Sequence, residues 1–565
     1  MPRIRIRPLF AAGLLALGLV VGAQVQEAVS GSDDVEQLRK IEEAYEYISR
    51  AYVEEVDSAQ LAEDAIEGML AGLDPHSVYI SAEDMRSVRE SFDASFDGIG
   101  IYYEFIEGRQ EVDTLVVLMP IAGGPSDEAG LQPGDRIVGI DGENAIGIDQ
   151  GDVPVKLKGP RGTTVDLTVE RPGYDEPLAF TITRDKVPLN TVIASYMVDD
   201  ETGLIRLQRF ARTSHDEVRD AIRDLRGQGM ERLVLDLRGN AGGLLDQAYA
   251  IADEFLPAGD MIVYTESRHP NNRRQYRATA GGSFEDDPVI VLVDENSASA
   301  SEIVAGALQD HDRGLLVGRR TFGKGLVQQQ FPMTDGSVLQ MTVSQYYTPA
   351  GRLIQTPFEL GEGDEAYAEG KRAIREAIED QLAPNGGLID ASDFASEVPD
   401  SLVYQTDGGR TVYGGGGILP DYIVTRDSIS AALRTVIGRN LDNEFARTEI
   451  ERLGDAFRTQ WEGRGEAAFR AGFEVDDRTY DRFLAFASER GVDVVAERPA
   501  GSEDPVLVRS EVDAVRSDVE TRIKAFMARR LFGADAFYPV VGDLDPALQE
   551  VARLWSNAAT LAARR

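Results

Sequence analysis

"PVIVLVDENSASASEIVAGALQD", residues 288–310, is the stretch on which the reading of this chain turns. An apolar, β-branched run stops at Asp294, three serines alternate with alanines, and a helical pattern follows. A short apolar run bounded by turn residues reads as a strand, so the segment is a strand–turn–helix unit. Upstream, "GLIRLQRF" reads as a strand, "SHDEVRDAIRDLRGQG" as a helix ended by glycine, and "RLVLDLRG" as a buried strand. A glycine turn and a helix around 244–255 come next. This alternation predicts an α/β layer with parallel pairing.

Further from that layer the pattern changes twice. From Phe96 to about Asp185, short strands and glycine turns predict a β-rich module of roughly 90 residues. Before it, Leu38, Ile41, Tyr45 and Ile48 recur at helical spacing within 33–72, and "LDPHSVYIS" (73–81) is a turn punctuated by Pro75. After the layer, residues 359–410 are polar and acidic and read as a surface insertion. "VYGGGGILPDYIV" restores strand character, and helical periodicity dominates from Ser428 to Arg565. The amphipathic stripe there fits either a homo-oligomer contact or a cover for the core.

The chain has 565 residues, with 58 Lys+Arg against 97 Asp+Glu, a formal charge of −39. That balance argues against nucleic acid or an anionic membrane surface as the main partner. No cysteine occurs, which removes disulfides, thiol nucleophiles and Cys-ligated metals together. At the N-terminus Arg3, Arg5 and Arg7 precede an uncharged run from Pro8 to Gln26 with small residues at Val21-Gly22-Ala23. This is the layout of an export signal over 1–23 with cleavage after Ala23, and the alternative is an uncleaved anchor. The apolar run is shorter than the roughly 20 residues that span a bilayer.

The three serines raise two readings. A helix start favours Ser at the N-cap with Glu three residues on, and Ser299 with Glu302 has that spacing. The same position suits a nucleophile, because free amides behind a sharp strand-to-helix turn attract developing negative charge. The residues alone leave these readings even. A nucleophile needs a base, and of the four histidines His311 ends the helix that Ser299 begins, roughly 18 Å away at 1.5 Å per residue. No G-x-S-x-G, H-E-x-x-H or S-x-x-K match occurs.

Lys324 in "RTFGKGLVQQQF" is the other base, one of only seven lysines. Phe322, Leu326 and Val327 surround it with apolar bulk, which lowers an amine's pKa towards the range where it abstracts protons. If a strand begins at Lys324, Leu326 and Gln328 share its face, and Gln328 can orient the amine. A solvated loop lysine is the commoner fate. In "DLRGNAGGLLDQA" (236–248), Gly242 and Gly243 can offer a backbone N–H to an oxyanion, with the Ala300 amide as second donor. An ordinary strand-to-helix turn also uses glycine.

"LDPHSVYIS", "FDGIGI", "AGLQPGDRIVGIDG", "LVLDLRGNAGGLL", "SASASEIVAGALQD", "TFGKGLVQ" and "YYTPAGRLI" occur in one order along residues 35–358, followed by "GGGILPD". Together they resemble the carboxyl-terminal processing peptidases, or tail-specific proteases. The resemblance implies a crotonase-like α/β serine-protease core with an inserted β-rich PDZ domain and helical N- and C-terminal regions. The implied layout is an N-terminal helical region over 31–91, the PDZ domain over 92–186, the core over 187–427 and a helical region over 428–565. It implies a Ser–Lys dyad of Ser299 and Lys324 with Gln328 as orienting partner, and no metal or organic cofactor. Ala241 stands where many relatives carry Pro, so Gly242 and Gly243 both stay candidates for the oxyanion hole.

In such a module an extended C-terminus adds to a sheet edge while loop amides hold its carboxylate. Gly98, Ile99, Gly100 and Ile101 resemble that loop, and Ile101–Glu104 the receiving strand. An apolar lining from Ile99 and Ile101 suggests nonpolar tails. The expected function is a serine endopeptidase, exported and periplasmic, free or tethered, that captures the tails of unfolded or tagged exported proteins. The alternatives are a noncatalytic PDZ-type peptide-binding scaffold and a non-proteolytic hydrolase or ligand carrier on the same core.

Overall fold

The computed structural model describes residues 32–107, 113–171, 173–360, 365–372, 388–391, 399–424, 429–498 and 505–563. The expected leader over 1–23 and half of the 359–410 stretch lie outside these residues. The described residues begin with two helices, α1 (Ser32–Ala51) and α2 (Ser58–Leu70), then a short strand β1 (Val78–Ile80).

The β-rich module is a sheet in which β2 (Ile101–Glu107), β3 (Asp113–Pro120), β4 (Arg136–Ile140), β5 (Thr164–Glu170) and β6 (Leu178–Thr183) lie side by side, with helix α3 (Asp152–Leu157). β5 alternates buried and exposed along its whole length, as a strand with one covered face must. Leu115, Ile137, Leu167 and Val169 fill the module's own core. The chain enters and leaves through an antiparallel ribbon of Ser95–Gly98 against Asp185–Pro188.

From there strands and helices alternate. The first half carries β7 (Val192–Met197), β8 (Thr202–Leu207), α4 (Ser214–Gly227), β9 (Arg232–Asp236), α5 (Leu245–Asp253), β10 (Met261–Glu266) and β11 (Arg274–Arg277). The second carries β12 (Val289–Val293), α6 (Ala300–Asp310), β13 (Leu315–Gly318), β14 (Leu326–Pro332), β15 (Val338–Tyr347), β16 (Leu388–Asp390) and β17 (Tyr422–Val424). The main sheet runs β7-β8-β9-β12-β13-β17-β16 and is parallel from β8 to β17. A second sheet holds β1, β15, β10 and β11, with β14 paired to β15.

All five residues of β12 are buried, because helices cover both faces of its sheet. On one face Val289, Val291 and Val293 pack with Ile303, Val304 and Leu308 of α6. On the other, Ile290 and Leu292 pack with Val551, Leu554 and Trp555. Those three lie on α9 (Pro546–Ala562), which follows α7 (Leu441–Arg464) and α8 (Arg516–Phe532) in the helical C-terminal region. The stripe on this last helix therefore covers the sheet. Among the described residues no helix is long and apolar enough to cross a membrane. Within the stretch expected as a surface insertion, Tyr367 is instead buried, its ring edge-on to His76 at 5.5 Å between centroids.

Candidate active site

β9 and β12 are parallel neighbours, so the turns after them, 237–244 and 294–299, meet at one end of the sheet. In an open α/β sheet this end is where ligands bind. Asn240 joins the turns. Its backbone carbonyl accepts from the Ala298 amide (3.0 Å) and the Ser301 hydroxyl (2.8 Å). Its side chain donates to the Leu207 carbonyl and accepts from the Gly242 amide, each at 2.9 Å.

The three serines then separate. The Ser297 hydroxyl donates to the Leu237 carbonyl (2.9 Å), and that of Ser301 to Asn240, and both side chains are buried. The Ser299 hydroxyl donates to no described acceptor. Glu302 stands three residues on in a capping box, its amide bonded to the Ser299 carbonyl at 2.9 Å and facing the Ser299 side chain, which takes part only as an acceptor and so keeps its hydroxyl proton uncommitted. Ser299 also adopts φ 54°, ψ −111°, a region that costs a residue with a β-carbon about 1–3 kcal/mol.

Glu302 and Tyr346 hold that strained backbone against the loop bearing Lys324. One carboxylate oxygen of Glu302 accepts both the Ser299 amide (2.8 Å) and the Lys324 amide (2.9 Å). Its other oxygen accepts the Thr321 hydroxyl (2.5 Å) and the Gly323 amide (2.8 Å). The Tyr346 hydroxyl lies against the carbonyls of both Ser299 (3.0 Å) and Lys324. Burial pushes the Glu302 carboxyl up to about 7 against the pull of its four donors. Burial also lowers the Lys324 amine from the ordinary lysine range, while the carboxylates of Asp74 and Glu302 pull it back up.

The strand after Lys324 begins two residues later than the sequence pattern suggests, at Leu326, and its register shifts between Val327 and Gln328. The period-2 argument that puts Lys324, Leu326 and Gln328 on one face therefore fails, because a bulge turns successive side chains out of alternation. The Gln328 side chain donates to the Thr342 hydroxyl across the pair (3.4 Å).

Of the two glycines, Gly242 has its amide on Asn240, whereas the amides of Gly243 and Ala300 have no acceptor among the described residues. Gly242 is at φ 99°, and a β-carbon there would lie 2.8 Å from that of Ser299 and 3.0 Å from the Ala300 nitrogen. Gly242→Ala is expected to cost about 1–3 kcal/mol in backbone strain and to displace Ser299. A urea unfolding curve and kcat on a protein substrate check this, the latter falling at least tenfold.

In the β-rich module, Ile99 is 1 % exposed and sits in the module's core, so it does not line a groove, a correction to the expected lining. Its carbonyl accepts the Ser126 amide (2.8 Å), and that of Gly100 the Ile121 amide (3.0 Å), which shape the loop after Gly98. Ile101 opens β2, and no described strand pairs the outer edge of β2. Glu104 on β2 is held from the C-terminal region, by Arg530 of α8 at 3.1 Å and Asn443 of α7 at 3.4 Å. Asn240, Tyr346 and Asp74 escape sequence reasoning, since the partners that tie each to the site (Leu207 and Ser301, Ser299 and Lys324, and Thr342) are distant in the chain and leave no local spacing. A cavity of about 330 Å³ opens beside Asp74, lined also by Leu70, Pro75, Phe358 and Tyr367.

Residues 201–359 match the sequence model of peptidase family S41, 116–171 that of the PDZ domain, and 20–84 that of the activating protease CtpB N-terminal domain. The chain is 38% identical over 351 residues to the carboxy-terminal-processing protease of Bartonella bacilliformis, covering 61% of this chain and 79% of that one. It is 36% identical over 330 residues to the carboxy-terminal processing protease CtpB of Bacillus subtilis, covering 58% and 67%. Among solved structures, the photosystem II D1 C-terminal processing protease is 31% identical over 55% of this chain and 89% of that one, with a TM-score of 0.32.

Proposed function

This chain belongs to the carboxy-terminal processing proteases of peptidase family S41, and on that premise we propose that Ser299 is its nucleophile and Lys324 its general base. Gln328 orients the amine, and the amides of Gly243 and Ala300 receive the oxyanion. The observation that carries this reading is the pair of shared partners. The amides of Ser299 and Lys324 meet on one oxygen of Glu302 and their carbonyls on the Tyr346 hydroxyl, while Ser299 alone of the three serines keeps a hydroxyl proton given to no described acceptor.

The neutral Lys324 amine takes the Ser299 proton as Oγ bonds to the scissile carbonyl carbon, whose π electrons pass to the oxygen. Collapse of that oxyanion breaks the C–N bond, and the lysine ammonium hands its proton to the departing amine. Lys324 then deprotonates a water that attacks the acyl carbon. The ester C–O bond breaks, Ser299 regains a proton, and a new C-terminus leaves.

The PDZ domain captures the substrate's C-terminus along the open edge of β2, where main-chain bonds supply affinity and Ile101 favours a nonpolar tail. The leader pattern of Arg3, Arg5 and Arg7 before an apolar run supports substrates among exported proteins. Exported proteins incubated with the wild type acquire new C-termini by mass spectrometry, and the same mixture with Ser299→Ala does not. Identical product sets from the two forms overturn the assignment.

A further inference from the structure

Asp74 lies in the turn after α2, more than two hundred residues before both Ser299 and Lys324, yet its carboxylate reaches the strand that pairs with the one after Lys324. One oxygen accepts the His76 amide (3.0 Å) and the Thr342 hydroxyl (2.9 Å), and the other the Ser77 hydroxyl (2.7 Å). The Thr342 amide in turn donates to the Ser77 hydroxyl (3.1 Å), so the turn is fastened to β15 at two points.

The direction of these bonds decides what they do. A carboxylate only accepts, so the single proton of the Thr342 hydroxyl points at Asp74. The lone pairs of that hydroxyl then face Gln328, its cross-strand neighbour, and can take only the amide's N–H end (3.4 Å). With its nitrogen fixed on Thr342, Gln328 keeps its oxygen free, and an oxygen is what a lysine amine needs as an acceptor.

We propose that Asp74 is a positioning residue for the general base: through Thr342 it sets which end of Gln328 faces Lys324, and it places a negative charge near the amine. The inference rests on the Ser–Lys reading and adds to it a residue from outside the core domain. The charge has a measurable consequence, because Asp74 is the larger of the two carboxylate influences that hold up the proton affinity of Lys324, the other being Glu302. Among the described residues, the other titratable groups around the Lys324 loop and Asp74 include Tyr346, Tyr367, which accepts from the Gln355 side chain, His76, edge-on to Tyr367, and Lys371, which lies over Phe322.

Two variants of the full chain separate the two effects. Asp74→Asn keeps an oxygen for the His76 amide and the Thr342 hydroxyl and removes the charge, so the acid limb of kcat/KM moves to lower pH. Thr342→Val keeps strand shape and the Asp74 charge but cuts the relay to Gln328, so kcat falls roughly tenfold or more, with KM and the acid limb unchanged. Urea unfolding midpoints accompany both, and the pH limb reports on the charge even where stability drops. A wild-type limb in Asp74→Asn overturns the electrostatic half, and a wild-type kcat in Thr342→Val overturns the positioning half. If Lys324→Ala abolishes activity while both variants behave as wild type, this inference alone fails. If Lys324→Ala remains active, the Ser–Lys reading fails first.

Discussion

Lys324→Ala lowers kcat/KM on an apolar-tailed protein substrate by about 10⁴-fold, Ser299→Ala by up to about 10⁶-fold, and the double variant by no more than the worse single. Non-additivity follows from the chemistry. Without a base the hydroxyl is a weak nucleophile, and without the hydroxyl there is no proton for the base to take. Lys324→Arg behaves like Lys324→Ala, since a guanidinium stays protonated and cannot accept the proton. The wild-type pH profile carries a second signature. Burial lowers the Lys324 amine from its ordinary value, so kcat/KM rises with pH through a limb that lies below the usual lysine range. A limb at the ordinary lysine position, or a Lys324→Ala form within tenfold of wild type, refutes the assignment of the base.

Local patterns carry most of the fold. The apolar run of β12, the helix behind it and the glycine turn after β9 are all periods or spacings within about twenty residues, and each forms where the sequence places it. The Ser299–Glu302 spacing is likewise local, and its capping arrangement is present. That Glu302 also receives the amides of Gly323 and Lys324 is not local, because a carboxylate's second and third partners are set by how β14 and α6 pack. The same holds for Tyr346, an unremarked tyrosine on a strand until its hydroxyl is seen between two carbonyls. The bulge at Val327/Gln328 is invisible for another reason: alternation assumes a regular ladder, and nothing in "KGLVQQQF" marks where the ladder slips. The stripe on α9 is legible as a period, whereas the sheet it covers is known only from the packing.

Glu302→Ala destabilises the core by roughly 3 kcal/mol or more, because three backbone amides lose their acceptor in a site closed to water. Loss of that size is a large share of a domain's total stability. Glu302→Gln is the more informative change. Its amide group can turn an oxygen to only one side, so either Gly323 or the pair Ser299 and Lys324 is left without an acceptor, and kcat falls about 10²-fold as the two residues drift apart. The pH dependence carries a definite sign. The folded-state pKa of Glu302, about 7, is raised above the ordinary glutamate value of 4.5. Its contribution to stability is therefore fully present below about pH 4.5 and lost as pH rises through about 7, a change of about 3 kcal/mol. Glutamine does not titrate. The stability gap between wild type and Glu302→Gln is thus widest at about pH 4.5 and below and narrows towards pH 8, as read from urea unfolding of both forms at each pH. A gap that stays constant, or widens with rising pH, means that Glu302 enters the folded core as a permanent anion, held by its four donors against the cost of burial.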